Sequence, residues 1–273
     1  MTDFVDLLRQ GDLPDNAVAV TFDDGYVDNL RMAKPQLERA GIPATVFIAS
    51  GYVGTATQFW WDELAGRILG HTDDLDCEIA IAGECLHLTL SALFVSARPI
   101  PEWEYSRPPR TERESLYLEL WRRLHVLPGS EREKVMSSLR TFLRGSHADP
   151  GDLPMTEEET RELAAGGLIE IGAHTMTHPF LTALRSDERG REIVGSKSDC
   201  ERLVGRSVNA FAYPHGAYDD DTREIVRAAG FRFACSTQSS FVKVDHFDPY
   251  ALPRVHVLDW GAEAFKRSLL GMA

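Results

Sequence analysis

Apolar and polar positions follow two rhythms along this chain. AVAVTF (17–22) is a continuous apolar run of the kind a strand buried on both faces needs, and after Asp-Asp-Gly a helical spacing runs over 26–40 and is closed by Gly41. ATVFIAS (44–50) reads as a second strand. Later come LIEIGAH (168–174), a long polar helix over about 186–204, the strand NAFAYP (209–214), a helix over about 219–229, the run FRFACS (231–236) and a last strand near LPRVHVL (252–258). Strands separated by helices predict βαβ units and a parallel sheet, closed as a barrel or open and doubly wound. Periodicity alone does not choose between the two.

The middle of the chain keeps a different pattern. FWWDELAGRIL (59–69) is followed by two alternating runs on either side of Gly83-Glu84, which predict a hairpin, and by helical segments over 116–126 and 131–143. Pro-rich joints stand at 98–109 and 149–154. The organisation expected is one domain over 1–273 with a mostly helical subdomain inserted at about 59–153. Thr156 followed by Glu157, Glu158 and Glu159 predicts a capping box that restarts regular structure.

Composition narrows the function classes. The 273 residues are 43% apolar and 26% charged, as in ordinary globular proteins, and 29 Lys+Arg against 42 Asp+Glu give a formal charge of −13. That acidity argues against a general grip on nucleic acid, which depends on clustered cations. The opening MTDFVDLLRQGDLPDN lacks the apolar run of a signal peptide, and no run of about eighteen apolar residues occurs. A cytoplasmic protein without a transmembrane segment is expected. Four cysteines without a C-x-x-C pair read as reduced thiols, mostly buried.

Three clusters can carry chemistry, and each falls where a strand should end. Asp23 and Asp24 follow the first strand, and adjacent carboxylates there point in different directions, so one can bind a cation while the other faces substrate. An Asp-rich turn capping the next helix is the equal alternative. His174 and His178, four apart after IEIGA, can converge on one ion of the zinc type; two unrelated polar histidines are the alternative. Tyr213, Pro214 and His215 form a stiff turn whose backbone N–H could serve as an oxyanion donor, or an ordinary turn. Active sites of parallel α/β folds lie at the carboxyl ends of strands, which favours the chemical readings of the first two.

In the order T-F-D-D-G, G-x-H-T-x-x-H-P and Y-P-x-G, over 17–53 and 168–258, the sequence resembles the polysaccharide deacetylase family, with its NodB-homology fold. The resemblance implies an α/β fold, a distorted (β/α) barrel, with a divalent metal at the strand ends: zinc first, with cobalt, nickel or manganese as alternatives. It implies hydrolysis of an N-acyl group, acetyl first, from an amino sugar or glycan precursor. Asp24, His174 and His178 would hold the metal, Asp23 would be the base that activates its water, and the His215 backbone N–H would help hold the oxyanion. Three departures stand out. Ala212 occupies the place of the family's Arg that steers the catalytic carboxylate, and Arg254 is the candidate to replace it. His215 replaces an aromatic residue. The general-acid histidine lacks its Leu-x-His setting, leaving His256, which strand alternation would place on the same face as Arg254.

Other features read as structural. His71, His87, His125, His147 and His246 have no metal-like partners, and the runs at 73–76 and 219–221 read as turns and caps. Phe59, Trp60 and Trp61 read first as core and second as one wall of a sugar cleft. A deformylase of a formamido sugar shares the same machinery, and a catalytically silent sugar-binding protein is the reading from another class. A soluble, nucleotide-linked or lipid-linked precursor, met in solution or at a membrane face, is expected as substrate, with the insertion setting specificity. A nucleotide-linked one would need a cationic patch, first sought at Arg107, Arg110 and Arg113, where a solvated helical face is the main reading.

Overall fold

Five apolar runs pair side by side into one sheet. In the computed structural model, which describes residues 1–71, 73–91, 108–143, 152–258 and 260–269, they are β1 (Val20–Phe22), β2 (Ala44–Ile48), β5 (Ile169–Ala173), β6 (Ala210–Ala212) and β7 (Phe233–Cys235), in the order β1-β2-β5-β6-β7. Every neighbouring pair is parallel. Each strand along the sheet is also next along the chain, so the winding never reverses. That is the progression of a (β/α) barrel, not of an open sheet with a switch point.

The two faces of the sheet fill differently. Val46 and Ile48 of β2 join Ile169, Ile171 and Phe211 against the outer helices α2 (Lys34–Ala40), α6 (Glu157–Ala164), α7 (Ser186–Val204) and α8 (Asp220–Ala228). Phe47, between Val46 and Ile48, turns to the opposite face and packs with Ala210, Ala212, Phe233 and Cys235. A Cβ on Gly172 would lie 2.4 Å from the Phe47 ring, so only glycine on β5 leaves that ring its place. Helix α1 (Thr2–Gln10), absent from the sequence expectations, covers this face with Val5 and Leu8.

The residues between β2 and α6 build a second core. Helix α3 (Trp60–Leu69) lays Trp60, Leu64 and Ile68 against the hairpin β3 (Leu75–Ile81) and β4 (Glu84–Leu90), together with α4 (Glu112–Leu124) and α5 (Gly129–Phe142). β3 alternates buried and exposed along its whole length. The hairpin turn is Ala82-Gly83, both left-handed at φ 52 and 85, as a two-residue turn between twisted strands requires. Glu84, expected in the turn, already pairs with Ile81. Most of the first Pro-rich joint and half of the second, with His147 and Arg107, lie outside the described residues.

An ion cluster ties this second core together. Glu63 accepts from Arg140 Nε at 2.8 Å and Nη2 at 2.7 Å and from Arg67 Nε at 2.7 Å. Burial pushes the Glu63 carboxyl up, but the hydrogen bonds from Arg140 and Arg67 outweigh it and hold the group below its ordinary 4.5. Breaking a buried pair strands the remaining charges, so Glu63→Gln is expected to cost roughly 3 kcal/mol in urea unfolding at pH 7. Because the folded-state value is depressed, the stabilisation is complete above the ordinary 4.5 and fades as pH falls through the folded value. The difference between wild type and variant should therefore shrink in acid.

Other sequence expectations are met or corrected locally. The Thr156 hydroxyl accepts from Glu159 N at 3.1 Å while Glu159 accepts from Thr156 N at 2.9 Å, the expected capping box. Asp219 caps α8 through Thr222 N at 2.8 Å. The helix expected over 26–40 forms as a continuous run over 27–40, with a π-helical turn at Asn29–Ala33 before α2, where Pro35 lacks the N–H of a regular helix. The last strand expected at 252–258 does not form. Leu252 makes a single bridge to Cys235, after which Pro253 has no N–H to pair and Arg254 N bonds to Gln238 O at 3.0 Å. A further helix, α9 (Ala262–Leu269), follows. Among the described residues no helix is long and apolar enough to cross a membrane, and Cys77, Cys85, Cys200 and Cys235 are free thiols, of which Cys85 alone is exposed.

Candidate metal centre and active site

The carboxyl end of β1 divides two neighbouring carboxylates. Asp24 at φ 72 and Gly25 at φ 87 turn the chain sharply, and Asp24 O is held by Ala49 N at 3.1 Å. Asp23 remains in line with β1 and meets Arg254 in a fork, Nη1 to Oδ1 at 2.7 Å and Nη2 to Oδ2 at 2.8 Å. The same guanidinium donates through Nε to Ser236 O at 3.0 Å and through Nη1 to Thr21 Oγ1 at 3.2 Å. It therefore reaches from the chain leaving β7 to the end of β1. Burial raises the Asp23 carboxyl, but the charge of Arg254 and its hydrogen bonds bring it below its ordinary value.

Asp24 turns towards two imidazoles. Its Oδ1 lies 3.4 Å from His178 Nε2 and 3.6 Å from His174 Nε2, and the three ligand atoms lie within 4.8 Å of one another. Asp24 Oδ1 and His178 Nδ1 are buried without a hydrogen-bond partner among the described residues. His174 Nδ1 faces the carbonyl of Ala212 at 2.8 Å, so that nitrogen carries the proton and Nε2 presents its lone pair. Burial first, then Asp23 and Asp62, pushes the Asp24 carboxyl up to about 8, while burial depresses both histidines.

This donor set fits a metal ion. Two ligand atoms about 2.0–2.1 Å from a tetrahedral zinc stand roughly 3.3 Å apart, close to the 3.4 and 3.6 Å from Asp24 to the two imidazoles. A buried carboxylate beside neutral imidazoles, with an oxygen left unpartnered, is electrostatically incomplete without a cation.

The loop carrying the histidines is strained and closely held. Thr175 and His178 are left-handed at φ 63 and 52, an uncommon conformation for a β-branched threonine. Ser50 N donates to Thr175 O at 3.0 Å, Gly51 N to Met176 O at 2.9 Å and His178 N to Thr175 Oγ1 at 3.0 Å. Glu192 accepts from Met176 N and Thr177 N at 2.8 Å and from Thr177 Oγ1 at 2.6 Å.

The remaining residues singled out in the sequence fall in different places. His215, left-handed at φ 57, sets its ring 4.5 Å from that of His178 and stacks on Phe180. Pro214 and Tyr213 are buried, and the Tyr213 hydroxyl donates to Tyr250 O at 2.9 Å. Tyr213 thus supports the turn from the core and does not face the cleft. His256 is exposed. Of the residues sought for a cationic patch, Arg113 is buried and donates to Ser91 O at 3.1 Å, and Arg110 pairs with Glu114 at 2.8 Å, while Arg107 lies outside the described residues.

The structure adds residues that the sequence reading filed elsewhere. The Trp61 ring lies 4.6 Å from the His178 ring, and its Nε1 donates to Tyr26 OH at 2.8 Å, which in turn donates to Asp62 at 2.6 Å. Burial pushes the Asp62 carboxyl up to about 6. Trp121 and His125, one helical turn apart on α4, stack at 4.5 Å and face His215, at 6.0 and 6.2 Å respectively. Their i, i+4 spacing was the available signal, but it points to a shared face without saying what that face meets.

The model of the polysaccharide deacetylase family matches residues 10–72 and 135–234, more than half of the sequence, and the chain belongs to that family. The unmatched interval contains the hairpin and α4. YxkH of Bacillus subtilis (strain 168) is 29% identical over 103 residues, 38% of this chain and 36% of YxkH, so the alignment spans about a third of that relative. Among solved structures, the Streptococcus pyogenes deacetylase PplD, in complex with acetate, superposes with TM-score 0.58 at 16% identity, covering 98% of this chain and 78% of PplD. IcaB from Ammonifex degensii gives TM-score 0.53 at 19% identity, covering 98% and 86%. At these identities the superpositions speak for the fold.

Proposed function

We propose that this protein is a metal-dependent hydrolase that removes an N-acyl group, acetyl first, from an amino sugar or a glycan precursor. The observation that carries this reading is the split Asp pair, with Asp24 facing His174 and His178 and Asp23 forked by Arg254. Family membership and the acetate-bound PplD relative support the reaction class.

A divalent ion, zinc first on this donor set, would be held by Asp24, His174 and His178 and would supply Lewis acidity towards the acyl oxygen and towards water. The chain's own residues divide the remaining work. Asp23 accepts the proton of the attacking water at its carboxylate. Arg254 keeps that carboxylate ionised and aimed, the task for which Ala212 offers no side chain. The N–H of His215, in its left-handed turn, is the donor we assign to the negative charge developing on the acyl oxygen. His256, exposed at the rim on the Asp23 side, is assigned to deliver a proton to the departing amine. The arc of Trp61, Trp121, His125 and Phe180 offers apolar faces on which a sugar ring can pack.

An acyl-release assay tests this. Purified protein with added zinc or cobalt is expected to liberate acetate from at least one N-acetylated sugar among monosaccharides, chitooligosaccharides and nucleotide- or lipid-linked precursors, and a chelator should abolish release. Formate from the corresponding formamido sugars, with no acetate, would reassign the acyl group. Saturable glycan binding with no acid released under any metal would replace the enzyme with a sugar-binding protein.

A further inference from the structure

The peptide groups around the second histidine ligand can be accounted for one by one. Partners to Thr175 O and Met176 O come from the chain after β2, and partners to Met176 N and Thr177 N come from Glu192 on α7. Thr177 O, in the peptide directly before His178, has a different source. It accepts from Nη2 of Arg132 at 3.0 Å, and Arg132 belongs to α5, in the second core.

Arg132 is an odd residue to find there on grounds of stability. It is 3% exposed, and its Nη1 is buried without a hydrogen-bond partner among the described residues. Its guanidinium lies 4.9 Å over the Trp60 ring. The Tyr52 hydroxyl and the Glu192 carboxylate lie close enough to favour its charge, but burial outweighs them, and a buried cation that leaves a donor unsatisfied adds little to stability compared with a well-packed apolar side chain. Gly129, the first residue of α5, brings the helix against the same loop, since a Cβ there would stand 3.4 Å from Thr177 Oγ1.

We infer that Arg132 is a positioning residue for the metal site: by holding Thr177 O, it keeps the peptide before His178 turned so that the imidazole faces Asp24 and His174. The left-handed His178 costs energy and persists only where its surroundings over-determine it. Four of these five peptide groups are held from the barrel, and Arg132 makes the second core hold the fifth. Formation of the metal site is then coupled to the packing of α5.

This inference rests on the metal reading of Asp24, His174 and His178, and the test separates the two. Zinc affinity is measured by chelator competition on wild type, Arg132→Met, Arg132→Lys and Val135→Ala, the last being a buried apolar neighbour on α5 that touches the core alone. The melting temperature of each metal-free protein and the visible spectrum of its Co(II) form are recorded alongside. Loss of an outer partner typically costs about 10- to 100-fold in metal affinity, and Arg132→Met is expected in that range, with an altered Co(II) spectrum. Arg132→Lys, which keeps one donor, should recover part of the loss. Zinc affinity within twofold of wild type in both Arg132 variants would overturn the inference while leaving the metal reading intact. An equal loss in Val135→Ala would also overturn it, by tracing the effect to the general stability of α5. If Arg132→Met does not fold, the comparison of Arg132→Lys with Val135→Ala decides. A wild type that binds no zinc overturns both.

Discussion

Asp23→Asn is expected to lower kcat by about 100- to 10,000-fold on any substrate that the wild type turns over, the range a positioned acid or base contributes. It should do so with metal content unchanged, because Asp23 points to Arg254 and the three clustered donors are Asp24, His174 and His178. The amide keeps the size of the carboxylate but has no charge to offer Arg254 and no basic oxygen to offer water. KM should move far less than kcat, since the residue acts on the reacting atoms. Steady-state kinetics beside metal analysis checks this, and a variant with kcat within tenfold of wild type would remove Asp23 from the role of base.

Asp24→Asn is expected to produce a different pair of effects. Metal content should fall from about one equivalent to background, and acyl release should fall with it, because an amide is a poor ligand for zinc. The metal-free variant should nevertheless melt higher than metal-free wild type at neutral pH, by a difference that grows as pH rises from the ordinary 3.8 and levels off above about 8. The sign follows from the environment. Burial, with Asp23 and Asp62 behind it, raises the Asp24 carboxyl to about 8, so ionising it costs the folded chain free energy that the unfolded chain does not lose. Removing the carboxyl relieves that cost. Affinity lost with stability kept or gained is the mark of a group held for a ligand. Calorimetry with and without zinc at two pH values measures both, and a variant that lost stability in the absence of metal would make Asp24 a structural residue.

Much of this arrangement was legible in the sequence because it is local. An apolar strand followed by Asp23, Asp24 and Gly25 places two carboxylates at a strand end, and IEIGA followed by His174 and His178 does the same for two imidazoles. The long helix α7 runs over Ser186–Val204 and stops at Gly205, left-handed at φ 69, as its spacing and terminal glycine predict. What was not legible depends on contacts between distant segments. Trp121 and His125 look like one face of an amphipathic helix, and only packing of the second core against the barrel turns that face to His215. Asp62 follows two tryptophans and reads as a helix start, whereas its Tyr26 partner lies 36 positions earlier. Arg132 lies in a segment read only as helical, and its burial against Thr177 O depends on a separation of 45 positions. α1 was legible but passed over: Phe4, Val5 and Leu8 share one face and Gly11, left-handed at φ 77, closes the helix.

The fork between Arg254 and Asp23 also bears on how the barrel stays shut. β1 and β7 are the two ends of the sheet, and where a further strand was expected only the bridge from Leu252 to Cys235 forms. Arg254 crosses this seam, gripping Ser236 O beyond β7 and Thr21 and Asp23 at the end of β1. The carboxylate proposed for catalysis is therefore also the catch of a clasp. Drawing Asp23 away from Arg254 removes the two shortest contacts across this opening and leaves Thr21 Oγ1 as the hold on β1, so the base proposed for catalysis also serves the joining of the sheet's two ends.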